Sequence, residues 1–287
     1  MRKGIATAVD VSRARLLLLR SPLPRSYIDF TGRKVLRFFL TTQGLGAFAL
    51  ITLGVLFTKF RVAPNVIHPL IRTHLARAGT SLLPMTLFLA VALGLVVIGQ
   101  TVSLLSRVGV NDLLGTVMVT VVVRELGPMA AAVLVLMRAG TANVIELGTA
   151  RALGEVETLE VTGIDPVHYL VVPRVLGMAL GIFSLTIYLI LGALLSGYLW
   201  AFVQDVPLRP DDYFRQLAGA LRGLDFVLLA LKTGAFGVII AIVTCYHGLA
   251  QPLRLEEVSN CTIRAVGQSV VLCVIVDALF IVLYLIA

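Results

Sequence analysis

Several stretches of this 287-residue chain run for about twenty residues or more without a charge, the clearest lying between Arg77 and Arg107. A helix needs about 20 apolar residues to cross a bilayer. In hydrocarbon only structures that satisfy their own backbone hydrogen bonds survive, so such stretches must be helical. Five predominantly apolar spans are predicted, two of them uncharged and three carrying one or two charges: Leu82 to Leu105, Leu113 to Met137, Val175 to Ala201, Phe226 to Tyr246 and Ala265 to Ile286. With 58% hydrophobic and 14% charged residues, little soluble mass remains, since soluble domains are about a quarter charged. The expectation is an all-α polytopic membrane protein.

A sixth apolar stretch, Phe38 to Thr58, is ambiguous. It is uncharged but holds Thr41, Thr42, Gln43, Gly44 and Gly46, and basic residues flank both ends (Arg33, Lys34, Arg37; Lys59, Arg61). Cations at both ends suit a helix lying in the interface or re-entering it, with a sixth crossing as the alternative. Thirteen of the 24 Lys and Arg fall before Ser81, which places a basic start on the cytoplasmic side. Met1-Arg2-Lys3 opens no cleavable signal peptide. With five crossings the C-terminus is then periplasmic. The predicted organisation is a basic cytoplasmic extension (residues 1–37), an interfacial helix and connector (38–80) and a five-helix membrane domain (81–287).

Within the second span sit two adjacent charges, Arg124-Glu125, followed by Leu126-Gly127-Pro128. Charges at mid-membrane cost kilocalories unless they pair or meet water, so they are functional candidates. Pro128 has no N–H to donate and crowds the carbonyl four residues earlier, that of Arg124. Gly127 loosens the same turn. A kink is expected there, with a freed carbonyl that must contact protein or line a wet cavity. The pair then either lines a cavity or glues two helices together.

Lys232 in the fourth span is the next intramembrane charge, about six residues or roughly 9 Å from that span's outer end, against roughly 16 Å for Arg124. Facing one cavity, Arg124, Glu125 and Lys232 would suit an amphiphile with a polar or anionic head. Snorkelling to the headgroups is the alternative for Lys232. Asp277 in the fifth span reads as a packed polar residue.

Small residues recur at helix-packing intervals in the third span (Gly177 and Gly181, Gly192 and Ser196, Ala193 and Gly197), permitting close approach within or between subunits. Cys245, Cys261 and Cys273 are scattered and form neither a disulfide framework nor a metal set. No phosphate-binding loop, zinc-protease spacing or Gly-x-Ser-x-Gly elbow occurs. The chain reads as a transporter subunit rather than an enzyme, with no cofactor and no metal of its own. ATP-driven transport requires another chain to supply the energy. A secondary transporter or channel using Arg124, Glu125 and Lys232 as an ion relay is the competing reading. The polar segment Glu146 to Glu160, closed by Gly163-Ile164-Asp165-Pro166, is a short helix at the cytoplasmic mouth, either a solvated connector or a docking element.

Five words stand in register: Arg124-Glu125-Leu126-Gly127-Pro128, Arg138-Ala139-Gly140, Glu146-Leu147-Gly148, Asp165-Pro166 and Pro173-Arg174. In order and spacing they resemble the signature of MlaE/YrbE-type permeases, the membrane subunits of MCE-associated ABC transporters. The resemblance covers about Phe39 to the C-terminus. It implies a homodimeric permease with five crossings and an N-terminal interfacial helix in the bacterial inner membrane. It also implies a cytoplasmic ATPase dimer, which binds ATP and Mg, and a periplasmic MCE-domain protein. The cargo implied is phospholipid or a similar hydrophobic molecule. Arg124, Glu125 and Lys232 fall on the family's pocket positions. The segment 145–166 falls on its coupling helix, with Glu146, Gly148, Arg151, Glu155, Glu157, Leu159 and Asp165 as coupling candidates. The segment Gly154-Glu155-Val156-Glu157-Thr158-Leu159 departs from the usual Glu-Gln-Ile-Asp-Ala-Leu, which bears on which ATPase it pairs with.

Overall fold

The computed structural model describes residues 43–58, 64–109, 114–203, 210–249 and 255–286. All regular structure among them is helical. We label the helices α1 (Gln43–Thr58), α2 (Ile67–Leu105), α3 (Leu114–Ala152), α4 (Glu155–Val161), α5 (Val167–Val203), α6 (Pro210–Ala220), α7 (Gly223–Leu249) and α8 (Val258–Ile286). Five of these, α2, α3, α5, α7 and α8, are long and apolar enough to cross a membrane. The shorter α1 is apolar over its described residues. The chain divides into two compact units between Leu50 and Ile51, and all sites described below lie in the second. The predicted extension over residues 1–37 falls outside the described residues.

Every span runs longer than the apolar runs predict. The helix opening α2 begins at Pro64, where the sequence reading placed only a connector. Its polar residues His74 and Arg77 interrupt the hydrophobic run without ending the helix, because helical hydrogen bonding does not depend on side-chain polarity. A 3₁₀ turn at Thr80–Leu82 follows Gly79. Likewise α3 continues past Met137 to Ala152, so the membrane span and the first half of the predicted coupling segment form one rod. The connection between the third and fourth predicted spans contains α6. Proline at its first position and Asp211 and Asp212 in its first turn are favourable helix-start residues.

The long helix α5 is the pillar of the unit, packing against α2, α3 and α7. Its small residues let the neighbours approach. A Cβ on Gly177 would lie 2.7 Å from the Cβ of His74, and one on Gly181 2.9 Å from that of Ala78. Further along, a Cβ on Gly192 would press on that of Ala90, and one on Gly197 would clash with the Ile98 side chain. The Ser196 hydroxyl donates to the Ala90 carbonyl (3.4 Å). The small-residue pattern is therefore used inside the chain, between α5 and α2.

A core of Ile98, Val102, Leu114, Met118, Val119, Val122, Ile190 and Leu194 holds the ends of α2, α3 and α5 together and takes Leu217 from α6. Tyr213 on α6 donates its hydroxyl to the Leu194 carbonyl (3.3 Å). Burial pushes that hydroxyl up to about 12, so it stays protonated and donating. By contrast α8 is mostly outward-facing, exposing Val271, Val274, Ile275, Leu279 and Val282, a surface that fits lipid or another apolar partner rather than water.

Candidate functional site: a five-charge cluster at mid-membrane

The eight residues Val119–Leu126 of α3 form a π-helical stretch that ends directly before Gly127-Pro128. Pro128 cannot donate to the Arg124 carbonyl, and the Gly127 N–H instead reaches back five residues to Val122. Inserted π turns of this kind concentrate at functional sites. The freed Arg124 carbonyl accepts a hydrogen bond from Lys232 Nζ at 2.8 Å. The expectation of a carbonyl released by Pro128 thus has a definite partner.

Lys232 has no exposed side-chain surface. Besides the carbonyl, its ammonium donates to Glu125 Oε2 (2.8 Å) and lies 2.7 Å from Asp277 Oδ1, an ion pair without hydrogen-bond alignment. A buried ammonium is tolerated only with such compensation. Arg124 turns the other way and pairs with Asp225 through Nη2 (2.9 Å). The second Asp225 oxygen accepts the Arg222 N–H (2.9 Å) at the start of α7, and the Arg124 guanidinium lies 4.9 Å from the Tyr284 ring centre, in cation–π range.

Arg124 and Glu125, adjacent in sequence, therefore pair to different residues and tie α3 to both α7 and α8. The chain places two cations and three carboxylates together. Exposure is graded across the cluster: Lys232 0%, Asp225 4%, Asp277 19%, Arg124 22% and Glu125 28%. The open side belongs to Arg124 and Glu125. Arg124 Nε and the Tyr284 hydroxyl are buried there with no hydrogen-bond partner among the described residues, polar capacity that a bound group can use.

The sequence reading brought Arg124, Glu125 and Lys232 toward one site, and the structure joins them, although Lys232 is deeper than expected. Because α7 starts at Gly223, Lys232 is about nine residues or roughly 14 Å along it, level with Arg124. Snorkelling is excluded by its burial. Asp225 and Tyr284 were missed, Asp225 because it sits at the edge of the apolar run and Tyr284 because an aromatic near a span end is unremarkable. The available signal was spacing: Asp225 to Lys232 and Asp277 to Tyr284 are each seven residues apart, two turns along one helix face.

A second ionic set lies toward the far end of α3. Glu146 accepts from Arg77 of α2 (2.6 Å) and from Arg174 of α5 (3.3 Å). Of the coupling candidates, Glu146 is thus engaged within the bundle, and Gly148 is buried against Gly248. Asp165 Oδ1 accepts the Val167 N–H (3.0 Å) where α5 starts. The chain breaks at Gly154, whose φ of 77° favours glycine, and α4 follows. Arg151 bridges the break to Glu157 (3.2 Å) and more distantly to Glu160 (4.0 Å). Leu159 is half-buried, while Glu155, Glu157 and the apolar Leu153, Val161 and Ile164 face outward.

Comparison with known proteins then decides the family. The model of the family described as Permease MlaE matches residues 71–283, which takes in both ionic sets. The chain belongs to the MlaE permease family. A probable ABC transporter permease protein of Rickettsia felis is 28% identical over 244 residues, covering 85% of this chain and 92% of that protein. The chloroplastic protein trigalactosyldiacylglycerol 1 of Arabidopsis thaliana is 31% identical over 209 residues, covering 71% of this chain and 58% of its own length. A probable ABC transporter permease protein of Synechocystis is 34% identical over 166 residues, covering 56% of this chain and 61% of that protein. As an MlaE permease the chain is a multi-pass membrane subunit, and the five charges of its cluster all lie within the matched region.

Proposed function

We propose that this permease moves phospholipids or similar amphiphiles between membranes as part of an ATP-driven transporter. The observation that carries the reading is the mid-membrane cluster. Its half-open side offers a cation (Arg124), a carboxylate (Glu125) and two unpartnered buried polar atoms, beside apolar helix faces. A polar headgroup exchanges its water for such groups while its chains remain in hydrocarbon. Lys232 acts here through Glu125 and the Arg124 carbonyl, holding them in place rather than touching the head itself. The glycerolipid in the plant relative's name supports the same class of cargo, and the bacterial relatives' names support an ABC permease role.

The energy comes from a cytoplasmic ATPase dimer that binds ATP and Mg. Its docking surface is the projecting corner around α4, where Glu155 and Glu157 sit among exposed Leu153, Val161 and Ile164. Glu146, Gly148 and Asp165 hold that corner to the bundle. The working unit is a homodimer in the bacterial inner membrane, N-terminus inside and C-terminus in the periplasm, with an MCE-domain protein on the periplasmic side.

Mass spectrometry of lipids retained by the purified complex tests the cargo. Glycerophospholipid at stoichiometric level in the wild type, reduced in Arg124→Ala, is expected. Equal retention in both places the lipid elsewhere and removes the cluster from the binding site. Docking is tested by Glu155→Arg, which spares the Arg151–Glu157 pair. It should reduce ATPase co-purification while the permease stays folded.

A further inference from the structure

A second polar opening lies well away from the mid-membrane cluster. A cavity of about 230 Å³ opens between α2 and the later part of α3, lined among others by His74, Arg77, Ser81, Arg138, Asn143 and Met178. Its depth follows from the chain. Arg77 and Arg107 bracket the uncharged stretch of α2, thirty residues or roughly 45 Å apart, which is the thickness of a bilayer with its headgroups. Arg138 is fourteen residues beyond Arg124 on the same rod, roughly 20 Å away, toward Glu146 and α4. The cavity therefore sits at the headgroup level of one leaflet, on the side of the predicted coupling segment.

Its chemistry is cationic with an unspent buried donor. Two arginines, Arg77 and Arg174, share the single carboxylate of Glu146. Arg138 is exposed and has no ion pair among the described residues. At the floor, the Asn143 amide is 6% exposed, and its Nδ2 donates only to the Met178 sulfur at 3.5 Å, a weak acceptor. Ser81 contributes a hydroxyl at the rim, and Ala78, Ala139, Ala142 and Met178 supply apolar wall. An arginine and a buried amide donor beside an apolar wall match a phosphate diester carried by an amphiphile.

We propose that this cavity binds the phosphate of an anionic membrane lipid, as a headgroup site separate from the mid-membrane cluster. The proposal rests on the membrane-spanning fold and not on the transport reading. Arg138, on the π turn Leu136–Gly140, is its principal ligand, with Asn143 as supporting donor.

Binding of dioctanoyl phosphatidylglycerol to the purified full-length chain tests this, with dioctanoyl phosphatidylcholine and inorganic phosphate as comparators. The expected result is tighter binding of phosphatidylglycerol than of phosphatidylcholine. Arg138→Gln should weaken phosphatidylglycerol about tenfold, the effect of removing one charge-assisted hydrogen bond. Arg138→Lys should recover part of it, and a hundredfold excess of inorganic phosphate should fail to displace the lipid. Gly234→Ala, outside both sites and in open space, should leave the preference intact. Equal binding of the two lipids, or no effect of Arg138→Gln, overturns the proposal. Displacement by phosphate at matched concentration identifies a free-anion site and also overturns it.

Discussion

At the scale of single residues, Lys232 is the keystone of the cluster. Its ammonium is wholly buried and meets two carboxylates and one carbonyl. Removing one partner of such a set leaves uncompensated charge, which costs about 3–5 kcal/mol. Lys232→Ala should therefore lower the melting temperature sharply in detergent. Combining Lys232→Met with Asp277→Leu should cost less than the single changes sum to, because the two errors cancel. Strict additivity would show that the pair is not energetically coupled. Much of this site was legible in the sequence, because Arg124, Glu125, Lys232 and Asp277 stand out as charges inside apolar runs. Asp225 was not legible in the same way: what separates a cluster member from a loop acid is which side of the helix start it falls on, and apolar runs locate helix ends only loosely.

At the scale of elements, Pro128 decides the backbone register of α3. Pro128→Ala restores an N–H that competes with the Lys232 ammonium for the Arg124 carbonyl, and relaxes the π stretch toward ordinary helix. Lipid flux should fall severalfold with the fold retained, as judged by size-exclusion profile and melting; wild-type flux would make the register incidental. The α5–α2 seam makes a separate prediction. Gly181→Val forces side-chain atoms into Ala78, and overpacking of this kind costs about 1–3 kcal/mol. A Cβ at Gly234 meets nothing within 4 Å, so Gly234→Ala should be neutral or slightly stabilising in the same melting assay. The five crossings were predictable because each run is about twenty or more residues long and overwhelmingly apolar, even where one or two charges interrupt it. The helical start at Pro64 and the existence of α6 were not, since both carry charges that resemble loop composition while their hydrogen bonding is helical.

At the scale of the whole molecule, α3 is one rod joining two ionic sets. One end places Arg124 and Glu125 at mid-membrane, and the other places Glu146 between Arg77 and Arg174 before the chain turns at Gly154. In the proposed transporter, a force on the α4 corner would reach the cluster along this rod. Glu146→Gln removes the charge shared by two arginines and should uncouple the ends, leaving ATPase co-purification intact while transport drops; unchanged transport would remove Glu146 from the coupling path. The central claim is that the open side of the cluster handles the lipid head. Its most direct test is ATP-dependent lipid transfer by the chain reconstituted with its ATPase in proteoliposomes, comparing wild type with Glu125→Gln. The account predicts at least about a tenfold loss of transfer, the scale of one charged hydrogen bond, with the complex still assembled. Wild-type transfer by an assembled Glu125→Gln complex would contradict it.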